Sequence, residues 1–208
     1  NKLLVFCFTN APPAIAPYGA RKSLFGTNPI CFGAPTGKEP FILDTSTSKT
    51  NRGKIRLAQK LGLKIPKGVA LDKKGVITTV AKNALLGTQL PIAEFKGSGL
   101  AWMVDILSGV LTGSSHSGKT KDPFDDFSGP QNIGHLFITI DPKVFVGNNF
   151  IKEMKKNLHR VKMLPKAKGF NKILYPGERK SKTFKKNKNK NIFIDPKIFK
   201  EMSKLNVI

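Results

Sequence analysis

The stretch FKGSGLAWMVDILSGVLTG, residues 95–113, decides what kind of fold this chain can adopt. From Leu100 to Leu111 it reads as one long helix. Leu100, Met103, Val104, Leu107, Val110 and Leu111 recur at helical spacing, and Ala101, Trp102 and Ile106 widen the stripe toward burial on most sides. Gly109 inside such a helix costs about 1 kcal/mol relative to alanine, so it points to close packing against a neighbour. The same stretch excludes a Rossmann dinucleotide fold. Gly97–Ser98–Gly99 supplies two glycines of that fingerprint, but Trp102 stands where the third must be. Just beyond, Gly113–Ser114–Ser115–His116–Ser117–Gly118–Lys119–Thr120 matches the nucleotide P-loop letter for letter. That chemistry needs a strand before the loop and a helix after it, so that backbone N–H groups meet the phosphates. Here a helix precedes it. Asp122–Pro123, Asp125, Asp126 and Gly129–Pro130 follow, which neither open a helix nor welcome a triphosphate. Residues 112–132 are therefore expected to be a polar solvent loop.

Upstream, residues 3–8, 30–33 and 41–43 read as short buried strands, separated by a Pro-rich loop and the turn signal Pro35–Thr36–Gly37. A helix is expected from Ser46 to about Leu61, with Gly62 as its C-cap. Asp72–Lys73–Lys74–Gly75 reads as a hairpin turn between residues 69–71 and 76–80. Downstream, His135–Ile140 reads as a central strand, Phe150–Leu164 as an amphipathic helix and Ile192–Ile194 as a last short strand. A final helix from Pro196 to about Leu205 is capped by Asp195. The expected class is α/β, a mixed sheet with flanking helices, its strands near-continuously apolar.

Composition narrows function. The chain has 208 residues, enough for one domain plus a piece of another, with 36 basic and 13 acidic residues and a net charge of +23. A charge of that size raises nucleic acid as a partner. Only Arg21, Arg52, Arg56, Arg160 and Arg179 carry the guanidinium fork that reads phosphates and bases, and residues 179–191 are rich in Lys and Asn with one aromatic, Phe184. A solvated lysine-rich loop is the better reading, and no specific nucleic-acid partner is expected. Cys7 and Cys31 lie in apolar runs without a C-x-x-C or Cys/His cluster, so small buried thiols in a reducing compartment are expected, and no metal. No run approaches the ~20 apolar residues of a membrane helix. The opening Lys2–Phe8 run begins in mid-strand, and the chain is expected to be the C-terminal part of a longer protein.

Nine segments in one order carry the functional reading. They are Thr9–Pro13, Ala16–Gly19, Gly26–Pro29, Leu43–Ser48, Arg52–Ile55, Phe95–Leu100, Leu107–Gly113, Gly134–Ile138 and Tyr175–Arg179. Together they resemble the type-2 malate/L-lactate dehydrogenase family, which includes ureidoglycolate and sulfolactate dehydrogenases and cyclic-imine reductases. The resemblance implies a non-Rossmann NAD(P)-binding fold of the L-sulfolactate dehydrogenase type, incomplete at the N-terminus. It implies residues 1–145 as the cofactor domain and residues 146–208 as a C-terminal helical segment with a basic tail that packs back on an upstream domain. A cytoplasmic homodimer acting on 2-hydroxy and 2-oxo acids by hydride transfer, with NAD or NADP, is the implied whole.

Carried over position by position, the implied cofactor contacts are Asn10, the Asp44–Thr45–Ser46 turn, Lys96 and the Gly177–Glu178–Arg179 turn. A carboxylate at a strand end can accept from a ribose diol. Lys96 at a helix start can neutralise pyrophosphate, and Arg179 can clamp a phosphate. The plainer alternatives are that Asp44 caps the following helix and that Lys96 is only solvated. Ser98 stands where the family usually has an aromatic. The resemblance implies that the family's proton-donating histidine lies upstream of residue 1; His116, His135 and His159 form no recognisable catalytic group. Two other readings remain, a basic nucleic-acid-associated protein and, further off, a P-loop NTPase.

Overall fold

The computed structural model describes residues 2–204. Its main sheet has four strands in the order β3-β2-β1-β6, all antiparallel: β1 (Leu4–Thr9), β2 (Ile30–Ala34), β3 (Phe41–Thr45) and β6 (His135–Ile140). A small second sheet pairs β4 (Ala70–Leu71) with β5 (Thr88–Gln89). The one parallel pairing among the described residues is the isolated bridge of Ile15 with Gln89. In this order β1 and β3 run the same way, so their C-terminal ends, Thr9 and Thr45, lie on the same side of the sheet.

His135–Ile140 is an edge strand, not the central one its apolar run suggested. Phe137 is 66% exposed, and β6 pairs only with β1. The strand on the other edge, β3, is touched on its outer side by the C-terminal part of the chain, where the Ile42 N–H donates to the Pro176 carbonyl at 3.1 Å. Residues 76–80 do not complete a hairpin ladder. Asp72 Oδ1 accepts from the Lys74 and Val76 N–H groups, closing the turn at Gly75 (φ +85). Beyond it the chain makes only single bridges, Leu71 with Ile77 and Lys64 with Val80, because β4 takes β5 as its ladder partner.

Helix α1 (Arg52–Leu61) starts six residues later than the sequence suggested. Ser46, Thr47 and Ser48 instead hydrogen-bond to nearby and cross-chain carbonyls: Ser46 Oγ to Ser48 O, Thr47 Oγ1 to Thr27 O and Ser48 Oγ to Thr50 O. Such side chains compete with helical bonding, so the helix waits for Asn51, whose Oδ1 accepts the Lys54 N–H at 2.7 Å. Gly62 ends it in the left-handed conformation, φ +69, as expected. The apolar core below α1 gathers Ile55, Ile65, Ala70, Ala81 and Ala84, the last two from α2 (Ala81–Leu86).

The decisive stretch forms α3 (Phe95–Asp105) and continues as a π-helical turn, Ile106–Val110. The expected stripe is only partly inward: Ala101 and Val104 are buried, but Leu100, Met103, Val110 and Leu111 are not. Gly97, Ser98, Ala101, Val104, Asp105, Ser108 and Gly109 face inward, whereas Trp102, Ile106, Val110 and Leu111 are exposed. Glycine is needed at two points of the inner side because Ile92 crowds Gly97, and Asn10 and His116 crowd Gly109. A Cβ at Gly109 would meet His116 Cβ at 2.6 Å and Asn10 Nδ2 at 3.1 Å, the close packing that Gly109 signalled.

Residues 112–132 are the expected loop, with no helix opening after Lys119. Salt bridges from Arg52 and Arg56 to Asp122 and Asp125 tie it to α1. After β6 come α4 (Lys143–Val146) and α5 (Phe150–Met163). Two expectations fail in the tail. Residues 178–187 form a helix, α6 (Glu178–Asn187), rather than a loop, because four intrahelical and cross-element ion pairs stabilise lysines that would otherwise repel. Ile192–Ile194 is not a strand, since no described strand lies beside it. Helix α7 (Pro196–Lys204) forms with Asp195 Oδ1 accepting the Lys197 N–H; its expected end at Leu205 lies outside the described residues.

Candidate cofactor site

The outer edge of β3 and the turn before α6 form one open groove of about 350 Å³, lined by Leu43, Asp44, Leu174, Gly177, Arg179 and Lys180 among others. Local contacts fix it. The Phe41 and Tyr175 rings stack with centroids 6.5 Å apart, and Lys162 Nζ sits 5.0 Å from the Tyr175 ring centroid. Gly177 has φ +91, and a Cβ there would come within 3.1 Å of the Ile42 nitrogen. Only glycine holds the turn this close to the strand.

Asp44 and Arg179, 135 positions apart in sequence, therefore share a wall-to-wall setting. The Asp44 carboxylate is exposed and accepts from Lys180 Nζ at 2.9 Å. It does not cap α1; Asn51 does. Thr45 Oγ1 donates to Ser46 O at 3.1 Å, and Ser46 Oγ lies 3.1 Å from Ser48 Oγ, so both hydroxyls shape the turn that leaves β3. Arg179 is exposed and makes no ion pair among the described residues.

Glu178 takes a different part from its neighbours. Its side chain is buried and accepts from Lys162 at 2.9 Å, Lys182 at 2.6 Å and the Tyr175 N–H at 3.4 Å. Burial pushes its carboxyl up, but the bonds from Lys182, Lys162 and the Tyr175 amide outweigh it and hold the pKa at about 2. Glu178 thus ties α5, α6 and the turn together and leaves Arg179 and Lys180 to face the groove.

Lys96 does not line the groove. It stands exposed on the first turn of α3, joined to the β3 exit through backbone bonds from Ile92 N–H to Thr47 O and Lys49 N–H to Leu90 O. Ahead of it, Ala93 (φ +45) and Glu94 (φ +56) occupy the left-handed region in succession. Strain of this kind costs about 1–3 kcal/mol per residue and gathers at functional turns. Ser98, in the place of an aromatic, is buried and accepts the Tyr18 N–H at 3.0 Å.

Asn10 lies at the end of β1, on the same side of the sheet as Ser46, and is fully buried. Its Oδ1 accepts the Gly134 N–H at 3.0 Å and its Nδ2 donates to Ser115 O at 2.6 Å. It closes the base of the 112–132 loop. None of the histidines lines the groove: His135 Nδ1 lies 2.9 Å from Thr9 Oγ1, His116 pairs with Ser117 and His159 is exposed on α5. Lys180 lines the same groove although the sequence did not single it out, since it opens a run of lysines that reads as solvent-facing. No cluster of metal-ligating side chains occurs among the described residues, and none of their helices is long and apolar enough to cross a membrane.

Comparison with known proteins gives this geometry its setting. The (2R)-3-sulfolactate dehydrogenase (NADP(+)) of Chromohalobacter salexigens is 42% identical over 144 residues, 69% of this chain and 43% of that protein. The Delta(1)-pyrroline-2-carboxylate reductase of Ancylobacter novellus is 36% identical over 205 residues, 98% of this chain and 59% of that protein. A dehydrogenase structure from Sinorhizobium meliloti superposes with a TM-score of 0.90 at 29% identity, covering 98% of this chain and 59% of its own. The chain thus spans between two fifths and three fifths of the length of these relatives. The family model for malate/L-lactate dehydrogenase matches residues 1–203, and the chain belongs to the malate/L-lactate dehydrogenase family.

Proposed function

We propose that this chain provides cofactor-binding surface in an NAD(P)-dependent oxidoreductase that interconverts 2-hydroxy acids and 2-oxo acids, or closely related cyclic imines. The observation that carries the reading is the groove in which Asp44 meets Arg179 and Lys180 across a glycine turn. An acid at a strand end, cations with free N–H donors and apolar walls are the donor set that an adenosine phosphate requires. Bound NAD or NADP would supply or accept the hydride. Asp44 and Arg179 would hold its adenosine end, while Lys96 at the start of α3 would face its pyrophosphate, helped by the helix dipole. Thr45, Ser46 and Asn10 would shape the connections around it, and Glu178 would keep the 177–179 turn in place.

The proton is proposed to come from a histidine upstream of residue 1, as the family resemblance implies. The exposed apolar residues of α3 and its π turn, Trp102, Ile106, Val110 and Leu111, support association as a homodimer. Free Cys7 and Cys31 suit a reducing cytoplasm. The test is loss of NADH or NADPH absorbance with pyruvate, oxaloacetate, the oxo acid of sulfolactate and a cyclic imine, using the chain with its upstream sequence. Oxidation abolished by Lys96→Ala combined with Asp44→Ala is the expected result. A folded protein that oxidises neither cofactor with any substrate overturns the reading.

A further inference from the structure

The charge around the groove distinguishes the two nicotinamide cofactors, which differ by one phosphate on the adenosine ribose. A strand-end carboxylate with no cation beside it selects NAD, because it accepts from both ribose hydroxyls and repels a 2′-phosphate. Asp44 is not in that state. Lys180 Nζ lies 2.9 Å from its carboxylate, which offsets its charge. Arg179 stands beside it, exposed and without an ion pair among the described residues. Two further acids close by are also matched by lysines: Glu178 is turned inward to Lys162 and Lys182, and Glu39 is paired with Lys185. The wall that meets the groove is thus net cationic, with a planar guanidinium fork suited to a phosphate.

We propose that the groove takes the adenosine end of NADP in preference to NAD, with the 2′-phosphate held between Arg179 and Lys180 and the adenine against the apolar wall of Leu43, Leu174 and Pro176. This inference rests on the cofactor-site reading above and names which cofactor that site selects. Asp44 then acts with Lys180 rather than alone: the carboxylate positions the lysine, and the lysine cancels the repulsion that the carboxylate would exert.

The experiment is calorimetric titration of the full chain with adenosine 2′,5′-bisphosphate, adenosine 3′,5′-bisphosphate and adenosine 5′-monophosphate, in moderate salt. The two bisphosphates carry the same charge, so the highly basic surface treats them alike and only a shaped site separates them. The expected result is roughly tenfold tighter binding of the 2′,5′ compound than of either other probe. Arg179→Ala and Lys180→Ala should each weaken it several-fold, and together bring it to the level of the monophosphate. Circular dichroism of each variant checks its fold. Equal affinity for the two bisphosphates means charge alone is at work and overturns the inference. Equal affinity for the monophosphate and the 2′,5′ compound overturns the NADP preference while the cofactor site stands. Absence of binding by all three removes the cofactor site itself.

Discussion

Asn10 and Glu178 both entered as cofactor contacts, and both are consumed inside the protein. Each amide end of Asn10 is bonded across the gap between β1 and the 112–132 loop. Asn10→Ala leaves the buried Gly134 N–H without its acceptor, and the expected loss of stability is about 2–3 kcal/mol. Urea denaturation measures it; a loss below about 0.5 kcal/mol would mean that water replaces the amide without cost. Glu178 titrates on folding. Its folded pKa of about 2 lies below the ordinary 4.5, so its contribution is complete above pH 4.5 and is lost as pH falls from 4.5 toward 2. The side chain is buried but its lysine partners are half exposed, so a contribution on the order of 2 kcal/mol is expected. Glu178→Gln should remove that acid-limb slope while the rest of the curve keeps its shape. An unchanged slope between pH 5 and 3 would show that the ion pairs are screened out.

At the scale of elements, the sequence disclosed positions better than environments. The runs at residues 4–9 and 41–45 are strands in which β-branched and aromatic residues dominate, and Gly62 and Asp195 end and begin helices through local backbone chemistry that needs no distant partner. What periodicity does not report is which side of a helix the rest of the chain approaches. Large apolar residues mark the stripe on α3, yet the close approach of Ile92 to Gly97, and of Asn10 and His116 to Gly109, requires glycine on the inner face. Asp44 and Arg179, which line one groove, were singled out in the sequence because their segments carried the family resemblance. Lys180 was hidden by the lysine run, and the pairing of residue 44 with residue 180 is a tertiary fact. Gly109→Ala tests the inner-face account. Helix propensity alone favours the change by about 1 kcal/mol, whereas a methyl 2.6 Å from His116 Cβ overpacks the junction by about 1–3 kcal/mol. Net destabilisation in thermal melts is expected; a gain would mean that the π turn relaxes to admit the methyl.

Across the whole molecule, seven of the 13 acids are ion-paired among the described residues, whereas most of the lysines are not. Glu39, Asp44, Asp122, Asp125, Glu153, Glu178 and Glu201 are all ion-paired in the structure, yet the chain carries +23. The unmatched cations repel one another, most strongly along α5 and α6, where Lys152, Lys155, Arg160, Arg179 and Lys186 crowd exposed surfaces. Repulsion among exposed charges is screened over about 8–10 Å at physiological salt and over about 3 Å at 1 M, whereas the buried bonds of Glu178 are screened far less. Added salt therefore relieves more repulsion than it weakens attraction. Moving from about 0.02 M to 0.5 M sodium chloride should raise the melting temperature by a few degrees, since ~1 kcal/mol is worth 2–4 °C in a chain of this size. The same salt should abolish binding to heparin or duplex DNA, because that attraction comes from lysine point charges without aromatic stacking or shaped contacts. A melting temperature that falls with salt would show that ion pairs, not repulsion, dominate the surface. Duplex affinity that persists at 0.5 M would require a built nucleic-acid site, which the Lys-Asn stretch beyond α6 does not provide.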